Sequence, residues 1–322
     1  MNSSAEQSKP SKRSGPGAPQ GDLVFSKFVP TNVFGRIRNF PLSRILIALA
    51  FLVPVLAINA AIVFLVIENL PEPWAGWVDI GRYSVTFFAL LYVWRRYCAI
   101  IEKRDAYELS ARGSIPEFVL GVLIALSIVG TTVLALYLSG IYSIDHTNGI
   151  QVLVWSFGVY MSGSLMQELI ARLIIFRLTE EWLGTWVAVA ISAVVFGVAH
   201  AANPNQTAMS TLTLVITSFV FIGPFLLTRR VWMVLGVHFG WNFVQTGIFG
   251  MANSGIPIPG WITPSIDGPV WLTGGAVGIE NSALTVGLAL LVSVILFIAV
   301  RKRGQVMKPR WMRARVTGVE QR

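Results

Sequence analysis

Long apolar runs separated by short polar stretches occupy most of this chain. Eight can be marked, at 45–67, 80–94, 118–138, 150–176, 186–202, 209–228, 231–250 and 283–300. A helix crosses a bilayer in roughly 20 apolar residues. The pattern therefore predicts an all-α fold, a polytopic membrane helical bundle of about eight transmembrane helices. The second run is short, with Arg82 at its outer end. No repeat of fixed period and no inverted halves of the transporter kind are evident. Residues 1–22, rich in Ser, Pro, Gly, Lys and Gln, read as a disordered tail. Residues 25–44 mix aromatics with Lys27, Arg36, Arg38 and Arg44, which suits either an amphipathic stretch on an anionic leaflet or a plain linker. The first long apolar run starts only at Ile45, so no signal peptide is visible and the first span is expected to be a retained anchor.

Composition agrees. A chain of 322 residues that is 54% hydrophobic and 13% charged, with mean hydropathy +0.65, is excluded from the ordinary soluble domains. The net charge of +9 raises the question of nucleic acid, but its distribution answers otherwise. Seven Lys and Arg precede the first span, five lie between Arg95 and Arg112, and eight follow Val300. The alternate loops 68–79, 139–149, 203–208 and 251–282 contain none. That alternation is the positive-inside pattern, and it puts both termini in the cytoplasm with eight crossings. The single cysteine, Cys98, excludes an intramolecular disulfide, a cysteine-rich zinc site and a CxxC redox pair, and reads as apolar filler.

Polar groups inside the apolar runs carry the chemical information. Glu168 and Arg172 sit at i and i+4 in the fourth run, within reach of each other on one helical face. Charges at depth cost at least ~2.5–3.5 kcal/mol on insertion scales and face the bundle interior or a wet cavity. Alone, the pair fits a structural ion pair as well as a site. Of the three histidines, His146 stands beside Asp145 in an outer loop and reads as surface. His200 and His238 both lie in apolar runs, with Phe196 four residues before the first and Asn242 four after the second. These five polar groups fall on three separate spans.

A carboxylate can deprotonate water, one imidazole can relay the proton, and an amide N–H with a second imidazole can hold an oxyanion. The set suffices to hydrolyse a peptide bond. Two histidines and a carboxylate are also a ligand set of catalytic zinc sites. No HExxH is present, since Ala201, Ala202, Asn203 and Pro204 follow His200, so a metal such as zinc is compatible with the set but not required. Ser162, Ser164 and Ser192 lie in no GxSxG and read as small residues at helix contacts. Counting 1.5 Å per residue from the cytoplasmic ends places Glu168 and His238 ~10–14 Å deep and His200 ~21 Å deep. Helix tilt, or a fifth span starting later than Trp186, is needed to bring them level.

The motifs Gln167-Glu168-xxx-Arg172, Phe196-xxx-His200 and His238-xxx-Asn242 resemble, in order, the EExxxR, FxxxH and HxxxN of the CPBP family, the CAAX prenyl endoproteases and bacteriocin-processing proteases of the membrane. Leu272-Thr273-Gly274-Gly275-Ala276-Val277-Gly278-Ile279-Glu280 resembles the LTGGxFGxE that commonly follows, with Val277 in place of Phe. The resemblance covers about residues 110–300. It implies an intramembrane endopeptidase of CAAX or leader type, with a protein or peptide substrate, the lipid bilayer as surroundings and no nucleic acid. Glu168, Arg172, His200, His238 and Asn242 then form the catalytic set: Glu168 activates water with His200, Arg172 fixes Glu168, and His238 and Asn242 hold the oxyanion. The family's first Glu, credited with activating water, is Gln167 here, and an amide cannot accept that proton. The alternative is a non-catalytic scaffold or immunity-type protein that keeps the fold. A small-molecule transporter is a third reading, disfavoured by the lack of repeats. The expected organisation is a terminal segment to residue 44, two helices over 45–109, a protease-like core over 110–300 and a basic tail from 301.

Overall fold

The computed structural model describes residues 20–71 and 74–313; the expected disordered tail through residue 19 and the end of the basic tail, 314–322, lie outside the described residues. All eight apolar runs are helical. Helices α1 (Pro41–Leu65), α2 (Trp74–Tyr97) and α3 (Ser114–Leu138) come first. Helix α4 (Ile150–Glu168) continues through a π-helical stretch, Leu169–Phe176, into Arg177–Leu183. Then follow α5 (Thr185–Ala199), α6 (Ala208–Thr217), α7 (Phe219–Thr228), α8 (Val231–Asn242), extended by the π-helical Phe243–Ile248, and α9 (Ala283–Lys302).

Six helical segments, Pro41–Asn69, Trp74–Glu102, Ser114–Leu138, Ile150–Leu183, Ala208–Thr228 and Ala283–Lys302, are long and apolar enough to cross a membrane. The remaining two runs fall short for identifiable reasons. Helix α5 has 15 residues, and the α8 run is diluted by His238, Asn242 and Gln245. The second helix is longer than the run 80–94 suggests, because its charges are neutralised locally. Arg82 pairs with Asp79 one turn earlier and donates to Asn59 Oδ1 at 2.5 Å, and Trp155 Nε1 donates to Asp79 Oδ2 at 2.7 Å.

Burial separates centre from rim. The most apolar window of α1 is 11% buried, whereas that of Ile150–Leu183 is 61% buried, so α4 runs through the middle and α1 along the lipid side. Helix α8 is also central, buried at every position from Met233 to Asn242. It is held against α3 by a seam of small residues. A Cβ on Gly236 would fall on the Phe118 carbonyl oxygen and one on Gly121 on that of Met233, while Gly240 lies against Val122 and Ala125. Small residues let membrane helices approach to backbone contact, where dispersion replaces a missing hydrophobic drive.

One end of the bundle is closed by buried ion pairs. Glu102 accepts from Arg44 at 2.5 Å, Arg177 at 2.7 Å and Arg104 at 2.7 Å, and Arg229 pairs with Glu180. Near the described ends of the chain, Thr185 N donates to Met307 O at 3.0 Å and Arg313 approaches Asp22 at 4.0 Å, so both ends lie on this face. At the other end, β1 (Tyr142–Thr147) pairs antiparallel with β2 (Ile262–Ile266), Tyr142 opposite Ile266 and Thr147 opposite Ile262. The ladder pins the long segment 251–282, expected as a lid or re-entrant hairpin, to the loop before α4. His146 is exposed on β1, and Cys98 is buried and free.

Candidate active site

Glu168 ends the regular part of α4, and the helix widens to π geometry at the next residue. Such insertions re-aim side chains and recur at functional sites. The Glu168 carboxylate is fully enclosed. Its Oε1 is 2.6 Å from His238 Nδ1, and its Oε2 is 3.2 Å from Arg172 Nε. Arg172 is equally buried, donates from Nη2 to the Ser218 carbonyl at 3.4 Å, and lies 5.0 Å from the Phe196 ring centre and 5.7 Å from that of Phe221. Ion pairing and two aromatic faces offset the cost of burying the guanidinium.

His200 caps the end of α5, its Nδ1 2.7 Å from the Phe196 carbonyl oxygen. A carbonyl only accepts, so the proton sits on Nδ1 and Nε2 keeps its lone pair. Glu168 Oε1 stands at the matching nitrogen of His238, where its lone pairs favour the same tautomer. The difference in depth expected between the two histidines does not separate them. Helix α5 begins at Thr185, no later than expected, yet the Phe196 ring lies 4.7 Å from the His200 ring and 5.8 Å from the His238 ring, centre to centre.

Both imidazoles, with Gln167 and Asn242, line a cavity of about 400 Å³ between α4, α5, α8 and segment 251–282. Asn242, one turn beyond His238, makes no side-chain hydrogen bond among the described residues, and Gln167 Oε1 is buried without a partner. Two free amides thus face the cavity. Glu168 and Arg172 do not line it. One step along the helix turns a side chain by ~100°, and here that step puts Gln167 toward the cavity and Glu168 behind it, against His238. Ser164 also lines the cavity, its hydroxyl unpartnered, while Ser162 and Ser192 bond to the carbonyls of Gly158 and Ala171 as contact residues do.

The sequence does not single out Glu280 as a candidate. Glu280 lines the same cavity and is 2% exposed, accepting from Gln245 Nε2 at 2.6 Å and from the Ser254 backbone N–H. Burial pushes its carboxyl up from the ordinary 4.5 to about 7, against the opposing pull of those hydrogen bonds. The signal was in the sequence as the Gly-rich stretch ending at Glu280, read only as a family likeness.

A catalytic zinc ion needs three protein ligands and an open position. Among the described residues no group of three or more His, Cys, Asp or Glu is placed to hold one. The zinc suggested by the histidines and carboxylate does not fit this arrangement, because Glu168 is turned onto His238 Nδ1.

Six helices apolar and long enough to cross a bilayer make this an integral membrane protein, and a buried Glu–His pair with two free amides stands at its cavity. Residues 149–244 match the Rce1-like family, described as type II CAAX prenyl endopeptidase Rce1-like. The match spans all five residues from Glu168 to Asn242 and supports the CPBP and CAAX protease family to which the ordered motifs point. The likeness to CAAX-type membrane proteases thus covers the part of the chain that holds these motifs, under a third of its length. No curated protein and no solved structure matches it.

Proposed function

We propose that the protein is an intramembrane endopeptidase that admits a peptide segment to the cavity and hydrolyses one of its amide bonds with water. The observation that carries this reading is the 2.6 Å contact between Glu168 Oε1 and His238 Nδ1 at the cavity wall. Glu168 is enclosed and acts through His238: it accepts a hydrogen bond from Nδ1–H, orients the ring and stabilises the imidazolium that forms, as a buried carboxylate does for a catalytic histidine. The free Nε2 of His238 takes a proton from water, and the oxygen attacks the scissile carbonyl. Nε2 of His200 accepts the second O–H and fixes the water's direction. The Asn242 amide donates to the developing oxyanion, and Arg172 holds Glu168 in place.

The substrate class follows the family: a C-terminal prenylated cysteine motif, with leader-type peptides as the other class to test. Farnesylated CAAX peptides and leader peptides, offered to the protein in liposomes and followed by mass spectrometry, check this. Cleavage of at least one peptide is expected, falling by at least about 100-fold in His238→Ala, the size of a lost general base. Full cleavage by His238→Ala would remove the assignment. An inert wild-type protein would favour the non-catalytic scaffold suggested by Gln167.

The ends of the described chain share the basic, ion-paired face, and the loops without Lys or Arg lie at the other end. We infer that this face is cytoplasmic and that residues 110–300 form the protease core. Labelling of cysteines introduced near each terminus of the full chain should occur only from the cytoplasmic side; labelling from outside would reverse the orientation.

A further inference from the structure

Hydrolysis of an amide requires two proton transfers, one from the attacking water and one to the departing nitrogen. His238 with Glu168 provides for the first. The family's carboxyl at position 167 is an amide here, and an amide exchanges no proton at working pH. The cavity nevertheless contains a carboxyl. Of the acidic side chains among the described residues, Glu280 alone lines it.

The chain is shaped to deliver that group. Gly274, Gly275 and Gly278 have φ of 79°, 60° and 115°, in the region L side chains avoid. A Cβ on Gly274 would meet the Gly278 carbonyl, and one on Gly278 the Ala252 carbonyl. The turn so formed brings Glu280 under segment 251–256, where Ser254 N–H and Gln245 Nε2 fix its two oxygens; Gln245 also donates to Ala252 O at 2.5 Å. A carboxyl locked from both sides keeps its orientation, and each oxygen retains a further lone pair. The other titratable groups on the cavity are His200, His238 and Tyr160, with Glu168 and Arg172 behind His238.

We propose, resting on the endopeptidase reading above, that Glu280 is the general acid of this site, a catalytic residue that protonates the leaving amine. Water gives one proton to His238 Nε2 and its oxygen bonds to the carbonyl carbon. The C–N bond of the tetrahedral intermediate then breaks as the nitrogen takes the proton of the Glu280 carboxyl, leaving a carboxylic acid and an amine. The proton held by His238 returns to Glu280 through water in the cavity, and no electrons change hands. A carboxyl held protonated near neutral pH suits this task, and the burial of Glu280 itself keeps it so.

The test compares wild type, Glu280→Gln, Glu280→Asp and His238→Ala in liposomes across pH, with a farnesylated CAAX peptide and a leader peptide as probes. An acid must be protonated to act, so wild-type kcat is expected to fall as pH rises through about 7. Glu280→Gln should lose at least about 100-fold in kcat with KM little changed, and its residual activity should lack the alkaline fall. Glu280→Asp keeps a carboxyl and should retain that fall, which answers the case in which the Gln variant does not fold. Equal activity in Glu280→Gln, or lost activity with the alkaline fall intact in the residue, would make Glu280 a brace of the loop and overturn the assignment. If wild type cleaves and His238→Ala does not, such a result removes Glu280 alone; if wild type cleaves neither probe, the endopeptidase reading falls and this one with it.

Discussion

At the scale of single residues, the division of labour follows from which side chains already have partners. Glu168 lies in charge contact with Arg172 and at hydrogen-bond distance from His238, whereas the Asn242 amide has no side-chain hydrogen bond among the described residues. Removing Asn242 should therefore cost function without costing the fold. Asn242→Ala is expected to lower kcat by about 100–1000-fold, the worth of one oxyanion donor, with an unchanged melting temperature in detergent; a large loss of stability would show the amide to be structural. Glu280 behaves in the opposite sense. Its carboxyl binds a proton more tightly folded than unfolded, since burial lifts it from 4.5 to about 7. Its contribution to stability is full below about 4.5 and lost as pH rises through about 7. The melting temperature should fall over that interval in wild type and fall less in Glu280→Gln, as thermal melts across pH would show. The five candidates on the three spans are legible in sequence because ionisable and amide groups are costly in an apolar helix; Glu280, in a loop, is not. What was not legible was direction. The change to π geometry after Glu168 and the partner on a distant helix decide that Gln167 meets the cavity and Glu168 meets His238.

Elements place these groups by close approach. His238 and Asn242 are fixed because α8 is pressed to backbone contact with α3 at Gly236 and Gly121, and α5 is pressed against α6 at Gly197, where a Cβ would run into Val215. Gly236→Val should separate α3 from α8 and destabilise the bundle by at least about 1–3 kcal/mol, as overpacking does, with loss of cleavage; a variant with native melting temperature and activity would show the seam to be slack. The apolar runs predicted these helices within a few residues, since hydrophobic length is a local property. The long α2 and the Tyr142–Thr147 to Ile262–Ile266 ladder were missed because both depend on partners distant in sequence, Asn59 and Trp155 for the helix and one strand for the other.

Across the whole molecule, hydrophobic spans make a membrane bundle, buried ion pairs close one end, a two-stranded ladder pins the loop at the other, and the cavity lies between. The basic residues counted in sequence as a topology signal include structural ones, Arg44 and Arg104, which with Arg177 and Arg229 are each tied to a buried carboxylate. The account's central claim is that the cavity activates water. The most direct measurement is cleavage of a farnesylated CAAX peptide in heavy-oxygen water by the full-length protein in liposomes, with the products weighed. The expected result is one heavy oxygen in the new carboxyl group, formed by wild type and not by His238→Ala. Cleavage that proceeds undiminished in His238→Ala, or a new carboxyl without the heavy label, would contradict it.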